Sequence, residues 1–152
     1  MNTPLQVHVY REKNIESRHN VSAVVMTSSG QLMQTYGDTA QKIYPRSSIK
    51  CIQAIPIITT GALEKFNISD IELALAGASH NGEARHTEAV QSWLSRINLN
   101  VTDLECGAHA PAHQNSFMSL TKTKGTYSAL ENNCSGKHTG MLSSALAMGV
   151  PT

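Results

Sequence analysis

Residues 44–56 read YPRSSIKCIQAIP, and within them the hydrophobic pattern changes its period. Upstream, apolar residues alternate over short runs: LQVHVYR at 5–11, VSAVVMT at 21–27 and QLMQTY at 31–36. Alternation rich in valine and tyrosine favours extended backbone, and Ser28-Ser29-Gly30 between the last two runs suits a hairpin turn. These runs predict an antiparallel β-meander. From residue 46 onward, Ile49, Ile52 and Ile55 recur at helical spacing in an almost continuously apolar stretch. Pro56 predicts a kink in this first helix, and Gly61 a weak point after it.

Helical signals continue downstream. Ser69 and Glu72 form a Ser-x-x-Glu capping box for a second helix, SDIELALAGA. Val90, Trp93, Leu94 and Ile97 fall on one face of a third. From 100 to 134, histidine, proline, asparagine and glycine recur without a dominant period, so this segment reads as irregular. A last helix is predicted from about Ser135 to Met148, ended by Gly149 with Pro151 beyond it. Strands come first and helices follow, which is the α+β order. There is no internal repeat and no linker. The predicted strands need an apolar cover and further strands, so residues 1–152 are expected to form a single, truncated, N-terminal part of a longer domain.

Composition narrows the function classes. Of the 152 residues, 40% are hydrophobic and 15% charged, the balance of a folded globular chain. The net charge of +1 comes without a basic stripe, which argues against nucleic acid as a partner. The apolar runs are shorter than a membrane span, and MNTPLQVHVYR lacks the apolar region of a signal peptide. A cytoplasmic location is the expectation. Cys51, Cys106 and Cys134 are too few and odd in number for a disulfide framework.

Three motifs carry chemistry. In the first, Ser47 precedes Lys50 by one helical turn among apolar neighbours. A buried lysine loses its proton more readily and becomes a base for a nearby serine. The same spacing recurs at Ser119 and Lys122, but in the hydrophilic stretch SLTKTKGTYS, which reads as a solvated loop. In the second, SHNGE at 79–83 lies between two apolar helices. Either it is a plain turn, with Asn81 capping the next helix, or Ser79 faces a site with His80, Asn81 and Glu83 as polar neighbours. In the third, NNCSGKHTG places Cys134 and Lys137 at a helix N-terminus, where a thiolate is favoured. A phosphate-binding loop is excluded there, because His138 stands where a hydroxyl residue is needed. Cys106, His109 and His113 have zinc-like spacing, but Pro111 prevents a helical pair of histidines.

Taken in order, PRSSIKCIQA, ASHNGEARH, ECGAHAP and NNCSGKHTGML resemble the asparaginase II family, the Rhizobium-type L-asparaginases, over nearly the whole chain. The resemblance implies a fold akin to serine β-lactamases and penicillin-binding proteins. It implies hydrolysis of L-asparagine to L-aspartate and ammonia by two Ser–Lys pairs. Ser47 and Lys50 match the first pair. Ser79 matches the serine of the second, whose lysine has no counterpart here. Zinc binding in this family implies Cys134 and Lys137 as ligands, with a later cysteine again lacking a counterpart. Arg46, just before the serine, is placed to hold a substrate carboxylate. The implied partner is a small molecule, with a homodimer as a compatible assembly. This chain alone is expected to be inactive or nearly so. One alternative is a non-catalytic truncated product or one half of a split protein. Another is a penicillin-recognising acyl-transferase or hydrolase, against which stand the missing Ser-Asp-Asn and the reordered Lys124-Gly125-Thr126.

Overall fold

The alternating runs of the first 44 residues form strands, but as two separate hairpins rather than one meander. The computed structural model describes residues 2–123 and 125–152, so Lys124 lies outside the described residues. The chain divides into two units, Met1–Tyr44 and Pro45–Thr152. In the first, β1 (Leu5–Arg11) pairs antiparallel with β2 (Asn14–Val21), and β3 (Ala23–Met26) with β4 (Leu32–Tyr36). Strand β2 escaped the sequence reading because NIESRHNV is mostly polar; it is extended because β1 offers it a ladder of backbone partners. Between β3 and β4, Gly30 takes φ +84° and Thr27 N–H donates to Gln31 O at 2.9 Å, closing the expected turn. None of the described residues of this unit is buried.

The second unit is helical. A 3₁₀ turn at Arg46–Ile49 leads into α1 (Lys50–Thr59), and α2 (Ala62–Lys65), α3 (Asp70–Gly77), α4 (Ala84–Arg96), α5 (Gln114–Thr123) and α6 (Ser135–Met148) follow. Pro56 is accommodated inside α1, and Gly61, at φ +73°, separates α1 from α2. The apolar run of α1 is not an all-round buried helix: Ala54 and Ile57 are buried beside Lys50, whereas Ile52, Ile55 and Ile58 are exposed. At α3 the capping box forms as read, and Glu72 also receives Arg96 at 2.6 Å. The N-cap of α4 is Glu83, boxed with His86, and not Asn81. The stretch around Ser119 and Lys122 is helix α5 rather than a loop. None of its described residues is buried, so no apolar stripe announced it.

Helix α6 supplies the packing centre. It lies against α1 and α3 through Gly136, Thr139, Gly140 and Ser143, all buried and small. A methyl group at Gly136 would meet Leu75 O at 2.7 Å, and one at Gly140 would meet Ile57 Cδ1 at 2.6 Å. The buried hydroxyls cost little, because Thr139 and Ser143 donate to the carbonyls of Ser135 and Thr139, four residues earlier. Val90, Trp93, Leu94 and Ile97 fill the adjoining core as their spacing predicted. The termini of α1, α3 and α6 thereby converge, and the three motifs ride on those termini.

Candidate active site

Lys50 is the first residue of α1 and is 2% exposed. Its Nζ donates to Ser79 Oγ at 2.7 Å, to Ala78 O at 2.9 Å and to Asn133 O at 3.2 Å. Three acceptors match the three protons of an ammonium group. The hydrogen bonds reverse the expected pairing. Lys50 contacts Ser79, and Ser79 Oγ in turn bonds Ser47 Oγ at 2.9 Å, so the i, i+3 neighbour is reached only through the second serine. The cause is local: Ser47 sits in the 3₁₀ turn before α1, where the chain winds more tightly than the α-helix assumed by the spacing.

A cavity of about 320 Å³ opens beside this chain, lined by Arg46, Ser47, Lys50, Gln53, Asn133, Cys134 and Lys137. Three of those residues are cations and none is a carboxylate, so the cavity favours an anionic group. Arg46 adopts φ +49°, a left-handed conformation that costs a non-glycine residue roughly 1–3 kcal/mol. Ser79 is a boundary residue. It bonds to both walls of this cavity, yet it lines a second hollow of about 600 Å³ with Ile71, His80, Asn81, Glu83, Arg85 and His86.

The remaining candidates separate by orientation. His80 is buried, and both ring nitrogens are engaged: Nδ1 accepts from Gly82 N–H at 3.1 Å and Nε2 lies 2.8 Å from Ser135 Oγ. Burial, with His86 and Lys50 nearby, lowers its pKa from 6.5 to about 4. Asn81 is exposed and its carbonyl accepts from His113 N–H. Glu83 pairs with Arg85 at 3.1 Å, and that hydrogen bond holds its carboxyl below the usual range. Both Asn81 and Glu83 lie in the larger hollow rather than with Ser47.

Cys134 is the N-cap of α6, with Lys137 one turn on, and both face the smaller cavity. Asn132 fixes this entry: its amide donates to Cys106 O and Gly107 O, and its carbonyl accepts from Cys134 N–H. Thiol and amine are suitable zinc donors but supply only half of a four-ligand set. Among the described residues no three of His, Cys, Asp and Glu cluster to hold a metal ion. Burial raises the pKa of the neighbouring Cys106 thiol.

Sequence reasoning missed Gln53, Ala78, Asn132 and Asn133. Gln53 follows Lys50 by one turn on α1, so helical spacing was the signal that would have found it. Ala78 and Asn133 act through backbone carbonyls, which no side-chain pattern reveals. A family model for L-asparaginase II matches residues 7–152. No curated protein matches the chain.

Proposed function

The chain belongs to the L-asparaginase II family, and we propose that its helical unit carries the serine–lysine part of a site that hydrolyses the side-chain amide of L-asparagine. The continuous hydrogen-bond chain from Lys50 through Ser79 to Ser47 carries this reading. Ser47 Oγ attacks the amide carbon. Its proton passes to Ser79 Oγ, and the proton of Ser79 passes to Lys50 Nζ, which must first have released one of its own to water entering the cavity. The same path returns a proton to the departing nitrogen, releasing ammonia and leaving a β-aspartyl ester on Ser47. Water then cleaves the ester to give L-aspartate. Arg46 and Lys137 suit the substrate carboxylate, because both line a cavity without carboxylates of its own.

In this reading the fold is part of a serine β-lactamase-like domain, and residues 1–152 are an N-terminal portion of it. A zinc ion would be held by Cys134 and Lys137 with ligands from elsewhere. Lysine ligates only when neutral, so binding would strengthen as pH rises. A reducing compartment such as the cytoplasm suits the free thiol at Cys134.

The test is ammonia release from L-asparagine by the 152-residue chain, with and without zinc, alongside peptide mass mapping. Little steady turnover is expected, because Ser79 shares one lysine with Ser47 and members of a catalytic unit fail together. An aspartyl adduct on Ser47 is expected, and Lys50→Met should abolish it. Absence of any serine adduct sinks the proposal. Turnover equal to that of a complete family member would show that Lys50 alone suffices.

A further inference from the structure

His80 follows Ser79 in sequence but is buried where Ser79 is exposed. Gly82 N–H is an unambiguous donor, so His80 Nδ1 is an acceptor and the ring proton sits on Nε2. Nε2–H therefore donates to Ser135 Oγ at 2.8 Å, and the hydroxyl of Ser135, fully buried, donates to Leu130 O at 3.1 Å. Every polar atom in this row is satisfied in one direction only. The row joins two segments far apart in sequence: the loop that carries Ser79, and the first turn of α6, which carries Cys134 and Lys137. Lys50 ties the same two segments from the other side, through Ala78 O and Asn133 O.

We propose that His80 is a positioning residue: as the neutral Nε2–H tautomer it braces the 78–82 loop against the first turn of α6 and so holds Ser79 between Lys50 and Ser47. This rests on the catalytic reading of the serines, and it removes His80 from the substrate contacts. The low pKa fits the geometry, since a protonated ring would set Nδ1–H against Gly82 N–H.

The experiment has two readouts on the folded chain. Two-bond ¹H–¹⁵N spectra of the histidine rings report the tautomer of His80. Phosphonylation by a small alkyl fluorophosphonate, mapped by mass spectrometry, reports the reactivity of Ser47 and Ser79. The expected tautomer is Nε2–H. His80→Ala and Ser135→Ala should each slow serine phosphonylation by about tenfold to a hundredfold, the penalty of a small displacement at a reacting group. His80→Gln should recover part of the rate, because its amide N–H can reach Ser135. If His80→Ala does not fold, Ser135→Ala and His80→Gln carry the comparison. An Nδ1–H tautomer, or unchanged phosphonylation in the folded variants, overturns the inference. If neither serine reacts in the wild type, the catalytic reading fails. The brace is then judged by the Ser79 amide resonance, which must shift in Ser135→Ala; if it stays in place, the brace falls too.

Discussion

His80 also sets a pH dependence of stability. Folding lowers its pKa from 6.5 to about 4, so between those values the unfolded chain binds a proton that the folded chain refuses. Stability therefore rises with pH through this window, is complete above 6.5, and is lost as pH falls toward 4. The interval corresponds to at most roughly 3 kcal/mol. His86 and His138, also lowered mainly by burial, act in the same sense. Urea unfolding at pH 4.5 and pH 7 should show a clear loss at the lower pH, and His80→Gln should flatten it. An equal difference in the variant would refute the assignment to His80. At this scale the sequence was partly legible. Ser47 and Lys50 were marked by spacing, Cys134 by its place at a helix N-terminus and Lys137 by the family resemblance, and the four line one cavity. The partner of Lys50 was not, because it lies 29 residues away and depends on how α3 ends.

Among the elements, α6 holds two glycines with no room for a side chain. Gly136→Ala should destabilise the protein by about 1–3 kcal/mol, because the new methyl group meets the rigid backbone of Leu75 rather than a mobile side chain. Chemical denaturation measures this directly; a change within about 0.5 kcal/mol, the range of an ordinary surface substitution, would show that α6 can shift away from α3. The bounds of α6 were legible from Ser135 to Gly149, since the stop signal is a single glycine in the left-handed conformation, φ +70°. So was the start of α3, whose capping box is purely local. Strand β2 and helix α5 were not legible. Neither buries an apolar stripe, so the periodicity that marks an element was absent from both.

The whole chain shows much apolar surface. Ile52, Ile55 and Ile58 of α1 and Ile71 of α3 are 49–68% exposed, and in the strand unit Val24, Val25, Met26, Leu32 and Met33 are 44–63% exposed. Surfaces of this kind favour association. Analytical ultracentrifugation should show a mass average that climbs with concentration, and Ile52→Lys with Ile55→Lys should lower it. A monomer throughout the micromolar range would contradict this. Lys50 offers a separate view of the same molecule. Its three acceptors come from the serine loop after α3 and from the turn before α6, 28 to 83 residues away in sequence. Its amine borders the cavity, but all three of its N–H groups are engaged, so it reacts with an acylating reagent only when those hydrogen bonds open. Acetylation of Lys50 should therefore run at the rate set by opening of the two loops that hold it, while exposed Lys13 and Lys42 react at once. One amine becomes a clock for the opening of its own site under native conditions.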